Sequence, residues 1–236
     1  MLDTINSPAQ LKGMKLPELR ALAAEIREKL LQTVSSNGGH LASNLGVVEL
    51  TIALHVVYDC PEDKLVFDVG HQAYAHKLLT GRGPRFDTLR KCGGIAGFPR
   101  IDESPYDAFT TGHASTALSA ALGMARARDL MGAKHHVAAV VGDGALTGGM
   151  CYEALNDAGM SKTAMVVVLN DNEMSISQNV GALSGHLTAL RQSSPYRKLK
   201  HAVSVGLDKM PGVGKPILRS MERVRDSLKS LVIDDK

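Results

Sequence analysis

The sequence has 236 residues, of which 44% are hydrophobic and 22% are charged, and its formal net charge is +3. These values are ordinary for a globular protein with room for one large α/β domain or two small ones. The charge is too small to indicate a nucleic-acid partner. No apolar run reaches the roughly 18 residues of a membrane span. The N-terminal residues lack a basic-then-apolar signal pattern, so we expect a cytoplasmic protein.

Predicted helices and strands alternate along the chain. The first helix is indicated by Leu19, Leu22, Ile26 and Leu30, which recur at helical spacing. Helices are predicted over residues 17–35, 47–57, 72–80 and 115–130, strands over 64–69, 106–111, 136–141 and 165–170, and a loop over 92–105. Strands that alternate with helices pair in parallel through right-handed crossovers, so the pattern predicts an α/β fold with a parallel sheet.

The predicted strand ends carry similar polar sequences. These are Gly70-His71, Gly112-His113, Gly142-Asp143-Gly144 and Asn170-Asp171-Asn172. In open parallel sheets, ligands bind beyond the carboxyl ends of the strands, and these ends share one edge. The pattern therefore predicts a single polar site at that edge.

The segment 142–172 indicates what that site binds. Glycines flank Asp143 and let the backbone turn sharply and approach a ligand closely. The helix predicted to begin at Ala145 would direct free N–H groups toward the same place, which suits phosphate. Asn172 adds an amide oxygen at the end of the next strand. A carboxylate, an amide oxygen and a diphosphate form the oxygen shell that Mg²⁺ prefers, so the segment predicts a Mg²⁺-diphosphate site.

Four further blocks accompany this segment. They are HLASNLGVVELTIALH at 40–55, FDVGHQAYAHKLLTGR at 67–82, GHASTALSAALGMA at 112–125 and LNDNEMSISQNVGALSGHL at 169–187. Together they closely resemble the 1-deoxy-D-xylulose-5-phosphate synthase family of transketolase-like, thiamine-diphosphate-dependent enzymes, over essentially the whole chain. The resemblance implies an α/β, parallel-sheet thiamine-diphosphate-binding fold. We expect that fold to be incomplete at its C-terminal end, because enzymes of the family are far longer. Residues 1–175 would form the diphosphate- and Mg²⁺-binding domain, and residues 176–236 a flexible segment and a basic amphipathic helix of the same domain.

The same resemblance assigns roles to particular residues. The Mg²⁺ ligands would be Asp143, Asn172 and the main-chain carbonyl of Met174. The implied cofactor contacts are His71, Gly112, His113, Ala114, Gly144, Ala145 and Asn172. Many relatives have GHSST where this chain has Ala114, which removes a hydroxyl but no backbone donor. His40 would transfer protons to and from substrate oxygens.

Simpler interpretations of these side chains stay open at this point. Asp143 is also compatible with an ordinary turn after a strand, and His71 and His113 with hydrogen-bonded structural histidines. His40 is also compatible with a surface position at the end of a helix, because Gly38 and Gly39 precede it. Four other histidines have no recognisable partners and are interpreted as ordinary: His55, His76, His135 and His136.

The reaction implied by the resemblance is the condensation of pyruvate with D-glyceraldehyde 3-phosphate to 1-deoxy-D-xylulose 5-phosphate and CO₂. The product is a precursor of isoprenoids, thiamine and pyridoxal. The resemblance also implies a homodimer, with no nucleic-acid or membrane partner. The family's activating glutamate belongs to a pyrimidine-binding domain, which no part of 1–236 resembles. Two alternatives follow: a cofactor-binding fragment without catalysis of its own, or a half-subunit of a split transketolase.

Overall fold

A computed structural model describes residues 1–171 of the chain. Its helices are α1 (Leu16–Asn37), α2 (Leu41–Leu45), α3 (Val48–Val57), α4 (Tyr74–Lys77), α5 (Ala117–Leu130), α6 (Asp143–Leu146) and α7 (Gly149–Met160). Its strands are β1 (Lys64–Phe67), β2 (Val137–Gly142) and β3 (Val166–Asn170). Short 3₁₀ turns occupy Leu2–Thr4, Pro8–Gly13 and Gly83–Thr88, and a wider turn follows α4 at Leu78–Arg82. The domain boundary predicted near residue 175 lies outside the described residues.

The three strands of the described residues form one parallel sheet in the order β1-β2-β3. Phe67 of β1 is the register partner of Val140, and Gly142 at the end of β2 is the partner of Asn170. The five residues from Val137 to Val141 are all buried, as expected for the central strand of a parallel sheet. The predicted α/β class with parallel pairing is confirmed.

The largest apolar core lies between α1, α3 and the segment from α4 to residue 95. Leu22, Ile26 and Leu30 of α1 are each fully buried in it, so the helical spacing seen in the sequence marks the packed face. The helix begins with Pro17 in its first turn and a Glu18 carboxylate that accepts the Lys15 amide at 2.6 Å. It ends one residue before Gly38, whose φ of 72° favours glycine.

The predicted strand over residues 106–111 is wrong, because the structure has turns and irregular backbone there. The Asp107 amide donates to the Ser104 carbonyl at 3.1 Å, and the Tyr106 amide donates to the Ser104 hydroxyl at 3.3 Å. The Thr111 amide donates to the Pro99 carbonyl at 3.2 Å. These three amides therefore pair with loop residues and not with a neighbouring strand, and the Asp107 side chain is buried in the protein interior.

The helix after β2, predicted to begin at Ala145, has different bounds in the structure. The structure begins a single helical turn at Asp143, interrupts it at Thr147 and Gly148, and continues as α7 from Gly149. A four-residue helix sums few peptide dipoles, so the helix-dipole argument for phosphate is weaker than expected. No helix of the described residues is long and apolar enough to cross a membrane.

Candidate functional site

Asp68 joins the end of β1 to the start of α5. Its carboxylate is fully buried and accepts the backbone amides of Ser115 and Ala117, each at 2.9 Å. Because a helix leaves its first amides without internal partners, Asp68 acts as a cap for α5 supplied by a distant strand. The loop through Gly112 and His113 thereby reaches the carboxyl edge of the sheet without being a strand.

Ser115 connects this loop to the turn after β2. Its hydroxyl donates to the Ala145 carbonyl at 2.7 Å. The same carbonyl accepts the Gly148 amide and the Cys151 thiol, each at 3.3 Å. A Cβ on Gly148 would lie 2.0 Å from the Ser115 hydroxyl, so only glycine leaves room for this contact. The end of β1, the loop through residues 112–115 and the turn after β2 are thus brought together, as predicted for one edge of the sheet.

Asp143 occupies the position that the sequence predicts for a metal-binding carboxylate. Gly142 at the end of β2 pairs with Asn170 at the end of β3. Asp143 and Asp171, the next residues along the chain, therefore follow directly after two neighbouring strand ends. Asp143 is partly exposed and Gly144 is exposed, so both are accessible to a ligand. Asn172 and Met174, the other predicted ligands, lie outside the described residues. Residues 1–171 contain no cluster of three or more His, Cys, Asp or Glu suited to a metal ion.

His40 and His71 form a second part of the site. Their rings meet edge to face with 5.3 Å between centroids, and Phe98 lies 6.1 Å from the His40 ring. The buried Asn44 side-chain amide donates to the carbonyls of His40 at 2.6 Å and His71 at 2.7 Å. Its oxygen accepts the Tyr74 amide at 2.8 Å. The structure therefore places His40 beside His71 and not at an isolated helix end.

The surroundings of both histidines favour the neutral form. Burial lowers the pKa of His40, and the nearby Arg90 guanidinium lowers it further. Burial is also the main cause that lowers the pKa of His71, followed by the repulsion that protonated His40 would exert, while Asp68 opposes the shift. The Nδ1 atoms of both rings are buried and have no hydrogen-bond partner among the described residues. Two neighbouring imidazoles that favour the neutral form suit ligand binding and proton exchange.

The backbone around the site is strained. Within residues 1–171, the non-glycine residues with positive φ are Val69 (58°), Arg90 (64°) and Ser115 (71°). Val69 directly precedes Gly70, Arg90 influences His40, and Ser115 contacts the turn after β2. Strain of this kind persists where the surrounding structure requires it and is often concentrated at functional sites. Sequence reasoning missed Arg90 and Ser115, because neither residue type predicts a left-handed backbone.

The predicted contacts Gly112, His113 and Ala114 lie on an exposed part of this edge. A Cβ on Gly112 or on Gly142 would meet nothing within 4 Å, so open space borders both loops. Ala145 is partly exposed while its carbonyl faces Ser115. A carboxylate, open glycine-bordered loops and buried unpartnered imidazole nitrogens are features that fit a metal-bound diphosphate with an organic group attached.

Sequence reasoning also missed a buried ion cluster behind the site. We define it by His55, His76, Lys77, Arg82, Glu103 and Asp107. Arg82 binds both oxygens of Asp107, at 2.7 and 2.8 Å, and also reaches Glu103 at 2.8 Å. Lys77, which is fully buried, forms an ion pair with Glu103. His55 and His76, interpreted from the sequence as lacking partners, lie within this cluster, and that interpretation is wrong.

The two histidines of the cluster form a chain that ends on Asp107. His55 Nε2 lies 2.9 Å from His76 Nδ1, and His76 Nε2 lies 2.9 Å from the Asp107 carboxylate. Burial opposes ionisation of Asp107, but hydrogen bonds from His76 and Arg82 hold its pKa well below the usual range. Burial lowers the pKa values of His55 and His76. Neutral His76 therefore donates to Asp107 and accepts from His55.

The cluster fixes the loop that carries Phe98. Glu103 accepts the Ala96 amide at 2.7 Å, and Asp107 accepts the Arg100 amide at 2.8 Å. Because hydrogen bonds to ionised carboxylates are strong, both ends of the segment 96–100 are held. The buried cluster thus supports one wall of the His40 and His71 pair.

Comparison with known proteins agrees with this geometry. A family model described as 1-deoxy-D-xylulose-5-phosphate synthase matches residues 2–236. The chain belongs to that family. A 1-deoxy-D-xylulose-5-phosphate synthase of Syntrophomonas wolfei is 56% identical over 99% of the chain, and one of Carboxydothermus hydrogenoformans is 55% identical over 99%. One of Syntrophotalea carbinolica is 58% identical over 97%.

The match covers only part of each relative. The chain spans 36% of the Syntrophomonas enzyme, 38% of the Carboxydothermus enzyme and 36% of the Syntrophotalea enzyme. The chain therefore corresponds to about a third of the length of these relatives. Family membership, which the four sequence blocks predicted, is confirmed over nearly all of its residues.

Proposed function

We propose that the chain forms the diphosphate-binding part of a thiamine-diphosphate-dependent 1-deoxy-D-xylulose-5-phosphate synthase. The whole enzyme would condense pyruvate with D-glyceraldehyde 3-phosphate and release CO₂. The observation that carries the proposal is the pairing of Gly142 with Asn170, which brings Asp143 next to the strand end that leads into Asn172. Family membership over residues 2–236 supports the same reaction.

In this proposal, Asp143 holds Mg²⁺ together with Asn172 and the carbonyl of Met174. The carboxylate is partly exposed at the end of β2, where it remains accessible to a hydrated cation. Mg²⁺ keeps several positions for phosphate and water, so three protein oxygens are sufficient. Thiamine diphosphate, when bound, supplies the nucleophilic carbon and the electron sink for the reaction.

Other residues of the chain bind the diphosphate and position the reactants. Gly144 and Ala145 would donate backbone N–H groups to the phosphates, and Gly112, His113 and Ala114 would border the cofactor on the neighbouring loop. His71 would contact the cofactor from the turn after β1. Because Ala114 lacks only a side-chain hydroxyl, the backbone amides of residues 112–114 would still be present to border the cofactor.

His40 is the proposed proton-transfer residue. Burial and then the Arg90 charge lower its pKa, which favours the neutral imidazole that can accept a proton from a substrate oxygen. The Phe98 ring borders one side of the His40 ring, with 6.1 Å between centroids.

Two further parts of the proposal concern assembly. The catalytic site would need a pyrimidine-binding domain that supplies the activating carboxylate, a requirement that rests on the family resemblance. The enzyme would act as a homodimer in the cytoplasm; both features rest on the resemblance and the sequence pattern. Light scattering on the purified chain would test the oligomeric state.

Product formation tests the proposed reaction. The chain alone, and the chain joined to the remaining C-terminal part of the Syntrophomonas enzyme, would receive both substrates, Mg²⁺ and thiamine diphosphate. We expect 1-deoxy-D-xylulose 5-phosphate from the joined protein only, and none from its Asp143→Ala variant. A folded joined protein without turnover would contradict the proposed function. Turnover by the chain alone would contradict the requirement for a second domain.

The same assay separates the alternatives. A half-subunit of a split transketolase would transfer two-carbon units between sugar phosphates, so xylulose 5-phosphate and ribose 5-phosphate serve as the competing substrates. A module that only binds cofactor would bind thiamine diphosphate but give no product in either form.

A further inference from the structure

We propose that Asp68 and Ser115 form a positioning relay that sets the turn 142–145 for diphosphate binding. The relay runs from the carboxylate of Asp68 through the backbone and hydroxyl of Ser115 to the Ala145 carbonyl. It rests on the proposed function and adds two residues that touch neither the metal nor, in that proposal, the cofactor.

Asp68 is a rigid anchor for the relay. It directly follows β1, its amide donates to the Val140 carbonyl of β2 at 2.8 Å, and its side chain is fully buried. A buried carboxylate needs strong donors, and the amides of Ser115 and Ala117 supply them. The carboxylate occupies the amides at the start of α5, so these amides are not available to a phosphate.

Ser115 transmits this position to the next loop. Its φ of 71° is unusual for a residue with a side chain, and the hydrogen bond from its backbone amide to the Asp68 carboxylate holds it in this conformation. In this conformation the hydroxyl reaches the Ala145 carbonyl at 2.7 Å, over the space that Gly148 leaves open. A different Ser115 backbone would withdraw the hydroxyl from that carbonyl.

The relay links the two loops that the proposed function assigns to the diphosphate. One contains residues 112–114, which precede Ser115, and the other contains Gly144 and Ala145. Fixing the Ala145 carbonyl fixes the plane of the peptide that follows the proposed N–H donors. The donors of the two loops therefore keep a constant separation before the ligand arrives, and preorganisation of this kind increases affinity.

A serine-to-alanine pair of variants tests the relay. Ser115→Ala removes the hydroxyl but keeps the hydrogen bond from the backbone amide of residue 115 to the Asp68 carboxylate. Ser36→Ala is the matched control, because the Ser36 hydroxyl donates to the Gln32 carbonyl at 3.1 Å on α1, in a different part of the fold. Three quantities are measured on each protein: the thermal midpoint, amide hydrogen exchange over 143–148, and Kd for Mg²⁺-thiamine diphosphate and for Mg²⁺-pyrophosphate.

We expect Ser115→Ala to exchange faster over 143–148 and to bind both diphosphates about tenfold more weakly, which corresponds to one lost hydrogen bond. Its thermal midpoint should match that of Ser36→Ala, since a purely structural role would lower the midpoint and leave Kd unchanged. Asp68→Asn, which keeps one acceptor oxygen, should weaken binding in the same direction.

Two results would overturn different parts of the account. Equal Kd values and equal exchange over 143–148 in wild type and Ser115→Ala would overturn the relay while leaving the proposed function intact. Failure of the wild type to bind either diphosphate would overturn the proposed cofactor site and, with it, the role of the relay toward that ligand.

Discussion

The imidazole rings of His40 and His71 meet edge to face, 5.3 Å apart, although they belong to different loops of the chain. One buried side-chain amide, that of Asn44, donates to the backbone carbonyls of both residues. Its oxygen also accepts the Tyr74 amide at the start of α4. The geometry of the histidine pair therefore depends on a residue that is not itself predicted to bind a ligand.

Asn44→Ala should destabilise the protein by about 3 kcal/mol, because it leaves buried backbone groups without partners. The control is Asn37→Ala, which removes two hydrogen bonds to the carbonyls of Asp87 and Leu89 near the surface. Urea unfolding of both variants measures the difference. Equal free energies of unfolding for the two variants would contradict the role assigned to Asn44.

The buried pair of Arg82 and Asp107 should contribute far more to stability than its exposed counterpart. Asp107→Asn leaves the Arg82 charge partly uncompensated in the interior, which should cost about 3–5 kcal/mol. Arg126 and Asp157 form a similar two-bond pair at 2.8 and 2.7 Å with both side chains solvent-accessible. Asp157→Asn is therefore the control, with a much smaller expected effect. Comparable urea midpoints for Asp107→Asn and Asp157→Asn would show that the buried pair adds no more stability than the exposed one.

The buried histidines should make the fold sensitive to acid. Burial depresses the pKa of His55 in the folded state, so below about pH 6.5 the unfolded chain binds a proton that the folded chain excludes. The free energy of unfolding should therefore fall as the pH decreases from 7 to 5, by at most about 1.4 kcal/mol per pH unit for each such histidine. His55→Gln should reduce this slope in urea titrations. An unchanged slope would mean that His55 is not the group responsible.

Gly148 should be intolerant of a methyl group despite an ordinary backbone. Its φ of −75° suits any residue, but a Cβ would lie 2.0 Å from the Ser115 hydroxyl and 2.9 Å from the Ser115 Cβ. Gly148→Ala should destabilise by about 1–3 kcal/mol, as overpacking does elsewhere. Gly149→Ala, with nothing within 4 Å of the added methyl, is the control and should be tolerated. A calorimetric melt of each variant compares them, and similar midpoints would refute the predicted clash.

The sheet and most helices could be predicted because their signals are local. The spacing of Leu22, Ile26 and Leu30 marks the buried face of α1, and the Val-rich run of β2 marks a central strand. The glycine-flanked Asp143 also lies where the order of strands and helices predicts it, at the carboxyl edge of the sheet.

The failures involve residues whose partners are distant in sequence. The sequence predicts a strand over 106–111, but Arg82 holds Asp107 in the interior and the neighbouring backbone turns. The helix after β2 is interrupted at Gly148, where Ser115 approaches from another loop. Neither contact leaves a periodic pattern that could be recognised before the chain is folded.

The central claim is that this chain binds thiamine diphosphate through Mg²⁺ at Asp143. Isothermal titration calorimetry of the purified chain with thiamine diphosphate, with and without Mg²⁺, tests it most directly. We expect heat of binding that requires Mg²⁺ and disappears in the Asp143→Ala variant, whose thermal midpoint should show that it remains folded. Equal heats for wild type and Asp143→Ala, or no Mg²⁺ dependence, would contradict the claim.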